Sequence, residues 1–82
     1  MTREELSKHI SMDPKVCFGR PVIRGTRIWV ALIGDNLAEG TSEEELLRAY
    51  PQLTQGDVRA ALAFAAEMTR ERVLPIAVEG GS

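Results

Sequence analysis

The alternation of apolar and polar residues predicts that helices occupy the chain after residue 28. Between Ile28 and Ala38 the apolar side chains recur at the spacing of one helix face. Gly40 follows at the position where a helix commonly ends. Ser42, with Glu45 three residues later, is typical of a capped helix start and predicts a second helix. The pattern thus favours a mainly α fold.

A third helix is predicted after Thr54, because a hydroxyl at this position is typical of an N-cap. The helix is predicted to run from about residue 55 to residue 72. Residues 51–53 alone separate it from the second helix, and a connection of that length is typical of a helix-turn-helix. We therefore predict a three-helix, helix-turn-helix core over residues 28–74 and a flexible tail over residues 75–82.

Residues 8–30 are predicted to form an N-terminal β-hairpin arm. Pro21 prevents a helix from running through this region. Gly25, between two short β-type runs, supplies the positive φ that a tight turn needs. The alternative is a strand and turn that lead directly into the first core helix. Before the arm, Thr2 and Glu5 predict one frayed helical turn over residues 2–7, and His9 is interpreted as incidental.

The third predicted helix is apolar on more than one side, so it needs cover on more than one side. Val58, Leu62 and Ala65 are assigned to the core of the chain itself. The opposite face needs a second copy, a partner protein or the N-terminal arm. We expect a homodimer, and the alternative is a well-packed monomer. The predicted interface residues are Val22, Ile23, Ile28, Ala60, Phe64 and Met68.

The charges are distributed unevenly along the chain, although the net charge is only −2. Residues 1–27 carry six basic and three acidic side chains, and residues 28–82 carry four and nine. This asymmetry predicts two surfaces with different partners. The alternative is that a small domain scatters its charges unevenly by chance. Because strand side chains alternate, Arg20 and Arg24 are expected to point together as phosphate contacts. The alternative for Arg24 and Arg27 is pairing with acidic residues inside the domain or across a dimer. The candidate DNA-binding residues, from the arm and the start of the third helix, are Arg20, Arg24, Arg27, Thr54, Gln55 and Arg59.

Composition narrows the functional classes. The chain has one cysteine and one histidine, which leaves no internal disulfide and too few soft ligands for a metal site. No nucleophile with an adjacent base and no phosphate-binding loop is evident, so we expect neither an enzyme nor a cofactor. Residues 1–82 are predicted to be one cytoplasmic domain without a membrane span. Phe18 and Trp29 are assigned to the core, and Cys17 to a buried, inert position.

The motifs DPKVCFGRPVIRGTRIWV, YPQLT and DVRAALAFA together resemble the domain-of-unknown-function 433 family of small bacterial and archaeal proteins, over roughly residues 8–76. The resemblance implies a homeodomain-like helix-turn-helix core. It also implies an antitoxin paired with a PIN-like nuclease. The function we expect is an antitoxin that binds and inhibits such a nuclease and, as a dimer, binds operator DNA. The alternative function is a homodimeric protein-interaction module without nucleic-acid binding. A small catalytic domain ranks last.

Overall fold

The computed structural model describes residues 1–70, which are mainly helical and include one small antiparallel sheet. The predicted tail over 75–82 and the last residues of the predicted core lie outside the described residues. The elements are α1 (Arg3–His9), β1 (Ile10–Ser11), β2 (Val22–Ile23), α2 (Val30–Ala38), α3 (Glu43–Ala49) and α4 (Gln55–Arg70). The mainly α class is confirmed, with four helices in this part of the chain where three core helices were predicted.

The additional helix, α1, begins at the predicted cap and is longer than predicted. Thr2 Oγ1 accepts a hydrogen bond from the Glu5 backbone N–H at 3.1 Å, and Glu5 reaches back to the Thr2 backbone N–H. The predicted capping box is therefore confirmed. The helix continues to His9 because Leu6 is buried against the rest of the core, and that burial stabilises a helix too short to persist alone.

The sheet differs from the predicted hairpin arm. β1 pairs with β2, with Ile10 opposite Ile23 and Ser11 opposite Val22. The predicted tight turn around Gly25 also forms, and the Ile23 N–H donates to the Ile28 carbonyl at 2.9 Å. The return strand is reduced to one bridge because the chain enters α2 at Val30. The region therefore packs against the core and does not project as an arm.

The ends of the other helices follow local sequence signals. Beyond α2, the Gly40 N–H donates to the Leu37 carbonyl and the Thr41 N–H to the Asn36 carbonyl, which together form a Schellman motif. Gly40 has φ +97°, as this motif requires. Ser42 Oγ accepts from the Glu45 N–H at 3.1 Å and confirms the predicted cap of α3.

One face of α4 packs on the core, but it is not the face predicted. Val58 is buried as expected, whereas the side chain of Leu62 is 49% exposed and Ala65 is exposed. Ala60 is fully buried, and Phe64 packs against the buried cluster. The assignment of the two faces was wrong because α1 lies against α4. Of the three alternatives for covering the opposite face, a second copy, a partner protein or the N-terminal part of the chain, the structure shows the last.

Two glycine substitutions should change stability in opposite directions. Gly40→Ala should lower the free energy of unfolding by about 1 kcal/mol, because alanine is strained at positive φ. Gly34→Ala should raise it by a similar amount, because Gly34 lies inside α2 with open space around the added Cβ. Urea denaturation of both variants checks this. Two shifts of the same sign would contradict the assigned end of α2.

Candidate functional site

The loop between the strands displays an aromatic ring. The Lys15 and Val16 N–H groups bond to the Asp13 side chain and carbonyl at 2.8 and 2.9 Å, which fixes the start of the loop. Cys17, Phe18 and Gly19 then take φ values of +50°, +59° and +78°. The turn they form leaves the Phe18 side chain 94% exposed. The assignment of Phe18 to the core was therefore wrong, and Cys17 is only half-buried.

Arg20 and Trp29 form a cation–π contact beside this turn. The guanidinium carbon of Arg20 lies 4.7 Å from the centre of the Trp29 ring. Trp29 is half-buried, so its assignment to the core is correct only for part of the side chain. Its backbone pairs with Val22 and precedes the first residue of α2, which fixes the main chain that carries the ring beside Arg20.

Arg27 joins this pair along an open cleft of about 550 Å³, here called the arginine cleft. It is lined by Arg20, Arg27, Trp29, Ala31, Leu32, Asp35, Asn36 and Glu39. Among residues 1–70, neither arginine is in an ion pair with a carboxylate, although Asp35 and Glu39 lie at the same cleft. The two guanidinium groups therefore keep donors for an external acceptor.

Arg24 lies apart from the arginine cleft. Its Nε donates to the Ser7 carbonyl and its terminal nitrogen to the Ile10 carbonyl, both at 2.9 Å. Its backbone N–H donates to the His9 carbonyl at 2.7 Å. The last carbonyls of a helix lack partners within the helix and attract a cation. Arg24 therefore closes the end of α1, and the prediction that it points together with Arg20 is corrected.

The start of α4 holds the other predicted DNA-binding residues in different environments. Thr54 and Asp57 cap the helix reciprocally, at 3.0 and 3.1 Å, so the Thr54 hydroxyl is already engaged. Gln55 and Arg59 are exposed. This surface has one basic side chain, Arg59, and its acidic residue Asp57 is half-buried.

Sequence reasoning missed the role of His9. His9 Nδ1 lies 2.8 Å from Asp57 Oδ1 and joins residues 48 positions apart. A Cβ added to Gly56 would lie 3.1 Å from His9 Cε1, so the ring packs on the first turn of α4. His9 is not incidental. Asp57 needs only one carboxylate oxygen to cap α4, so its second oxygen was a weak sequence signal for a further partner. No residue near Asp57 in the sequence identified that partner as His9.

The predicted interface residues divide into two groups. Val22, Ile23, Ile28 and Ala60 are buried inside the single chain, so their assignment to a partner surface is corrected. Phe64 and Met68 are half-buried in a mostly apolar groove of about 350 Å³. The groove lies between α1 and α4 and is lined by Arg3, Leu6, Ser7, Ile10, Met12, Phe64, Glu67 and Met68.

Neither a metal site nor a membrane-spanning helix is present in the part of the chain that the structure describes. Within residues 1–70, no three His, Cys, Asp or Glu side chains lie close enough together to hold a metal ion. Over the same residues, no helix has both the length and the apolar character needed to cross a membrane.

The chain is similar to members of one family. The family described as "Protein of unknown function (DUF433)" matches residues 10–65. "Uncharacterized protein y4eO" of Sinorhizobium fredii (strain NBRC 101917 / NGR234) is 36% identical over 56 residues, which are 68% of this chain and 25% of that protein. The chain thus spans a quarter of that relative's length. The crystal structure of a DUF433 member protein from Anabaena variabilis ATCC 29413 matches with a TM-score of 0.73 and 34% identity, over 83% of this chain and 67% of the other.

Replacing Arg24 should destabilise the fold more than replacing Arg20. Arg24→Ala leaves carbonyls at the end of α1 without their donor and should lower the free energy of unfolding by about 1–2 kcal/mol. Arg20→Ala removes a surface cation–π contact and should cost about 0.5 kcal/mol. Chemical denaturation measures both. Equal losses would contradict the separation of a structural arginine from a surface one.

Proposed function

The chain belongs to the DUF433 family, and we propose that it acts in the cytoplasm as an antitoxin-like protein that binds and inhibits a PIN-like ribonuclease. The observation that carries the proposal is the arginine cleft, where Arg20 and Arg27 have no carboxylate partner among residues 1–70. The toxin partner itself comes from the resemblance to the family. PIN-like nucleases gather acidic residues around magnesium, so guanidinium groups without a carboxylate partner are the complement that an inhibitor needs.

The geometry of Arg20 suits recognition of a carboxylate. A guanidinium presents donors in a planar fork that matches two carboxylate oxygens. Stacking on Trp29 already restrains this side chain, so less conformational entropy is lost when it binds. The restrained, unpaired guanidinium of Arg20 therefore supports contact between the arginine cleft and the acidic site of the nuclease.

Operator binding by a dimer is the second part of the proposal. Here α2, α3 and α4 would act as a homeodomain-like helix-turn-helix core, with α4 as the recognition helix. The exposed side chains of Gln55 and Arg59 support this reading because they can bond to base edges. The acidic residues Glu43, Glu44 and Glu45 in the first turn of α3 oppose it, since they repel phosphate. DNA contact therefore depends more on Arg20 and Arg27 than on the helix.

The alternative function is a homodimeric interaction module without nucleic-acid binding. The groove between α1 and α4 favours it, because an apolar groove on a small domain suits a protein contact. In that case the arginines would pair with acidic residues of the second copy. A homodimer whose affinity depends on Arg20 and Arg27, and which leaves nuclease and DNA unbound, would establish this alternative.

The inhibitor function is tested with a PIN-like ribonuclease from the same genome and a fluorescent RNA substrate. The equimolar chain should abolish RNA cleavage in the presence of magnesium. The double variant Arg20→Ala, Arg27→Ala should weaken inhibition about 10-fold or more, since each lost guanidinium leaves a carboxylate unpaired.

The control variant is Arg48→Ala with Arg70→Ala. It changes the net charge by the same amount but removes arginines that already pair with Glu44 and Glu67 on their own helices. It should inhibit like the natural chain. An inactive natural chain, or equal weakening by both double variants, would overturn the proposed contact.

DNA binding is tested by fluorescence anisotropy with a duplex from the promoter of the chain's own gene. Arg20→Ala with Arg27→Ala should reduce the slope of log affinity against log salt by about 2, one unit for each lost phosphate contact. Arg59→Ala should lower affinity in a sequence-dependent manner. An unchanged salt slope in the double variant would remove the arginine cleft from DNA recognition.

A further inference from the structure

The turn at residues 17–19 holds two side chains in a backbone region that usually belongs to glycine. Cys17 and Phe18 have φ values of +50° and +59°, followed by Gly19 at +78°. A residue with a Cβ is strained there, and such strain persists only where surrounding contacts impose it. Strain of this kind concentrates at binding sites, which makes Phe18 a candidate for a role outside the core.

Burial of Phe18 does not explain the strain, because its ring is 94% exposed. Backbone hydrogen bonds close the turn on both sides: Gly19 N–H donates to the Val16 carbonyl at 3.1 Å, and Arg20 N–H to the Cys17 carbonyl at 3.2 Å. Cys17 Sγ lies 4.0 Å from the Arg27 carbonyl, beside the arginine cleft. The ring is thus carried on a fixed backbone next to the cleft.

The basic side chains near this ring have no carboxylate partner among residues 1–70, although the arginine cleft also contains Asp35 and Glu39. Lys15, Arg20 and Arg27 come from the same loop and the adjoining turn, and all three are exposed. Asp13, the acidic residue of the loop, already accepts a hydrogen bond from the Lys15 backbone. The complement of an aromatic ring with cations beside it is an apolar pocket with carboxylates at its rim.

Nucleic acid fits this arrangement less well than protein. Binding to single strands usually employs several aromatic faces on which successive bases stack. Arg20 covers one face of Trp29, which leaves Phe18 as the exposed ring at this site. One projecting ring suits insertion into a preformed pocket.

We propose that Phe18 is the anchor by which the chain docks into an apolar pocket with a carboxylate rim on a partner protein. The inference rests on the proposed function, in which the acidic site of the nuclease supplies the rim. Arg20 and Arg27 then contact the rim, and the ring fills the pocket. The strained turn holds the ring in its bound orientation, so little freedom is lost on docking.

The test compares Phe18→Asn with Phe18→Tyr in nuclease inhibition and thermal unfolding. Asparagine tolerates positive φ, so Phe18→Asn should raise the melting temperature while weakening inhibition about 30-fold, mainly through faster dissociation. Tyrosine keeps the ring and should inhibit within about threefold of the natural chain. Leu62→Asn removes another exposed apolar side chain, on α4, and should leave inhibition unchanged.

The outcomes separate this inference from the proposed function. If Phe18→Asn inhibits fully while the Arg20, Arg27 double variant does not, the anchor is overturned and the inhibitor function stands. If the natural chain does not inhibit, both are overturned. A melting temperature that does not rise in Phe18→Asn overturns the strain argument and the proposal built on it. A loss confined to promoter-duplex binding assigns the ring to nucleic acid and overturns a protein pocket.

Discussion

The contact between α1 and α4 is the constraint on which the other parts of the structure depend. It brings residues near the start of the chain against the longest helix and determines which face of α4 is buried. β1 follows α1 without a break, so its position is fixed as well, and β2 pairs with it. The turn after β2 then leads directly into α2. The loop that carries Phe18 connects the two strands and therefore takes its place from the same contact.

Local signals in the sequence predicted the ends of the elements well. Thr2, Gly40, Ser42 and Thr54 each act through partners within a few residues, so their roles can be read from spacing alone. The family resemblance is also confirmed. Residues in the irregular turn between the strands were harder to assign to the core or to the surface. The few aromatic residues of so small a chain usually lie in the core, so the sequence predicts Phe18 there, and only the backbone conformation of the turn shows that its ring is exposed.

Contacts between residues far apart in the sequence account for the remaining differences between the predicted and the observed structure. Strand alternation predicted that Arg24 would lie with Arg20, but the unpaired carbonyls at the end of α1 determine where its guanidinium goes. Which face of α4 is buried depends on the element that covers it. A helix with alanines on several sides can bury more than one of its faces, so the sequence alone did not determine the buried face. Arg20, Arg24 and Arg27 thus have different roles, because the side chain of Arg24 finds backbone acceptors and the other two do not.

The hydrogen bond between His9 and Asp57 has a consequence for the order of events during synthesis. The N-terminal residue of this pair is made long before its acceptor, which is 48 residues further along the chain. Until α4 has been translated, Leu6 and Ile10 lack their cover, and the helix that contains Leu6 is too short to persist alone. The entropy that is lost when so long a loop closes must also be offset by several contacts that form together. The packing around α1 therefore forms only after α4 has been made, and until then Leu6 and Ile10 are accessible to chaperones.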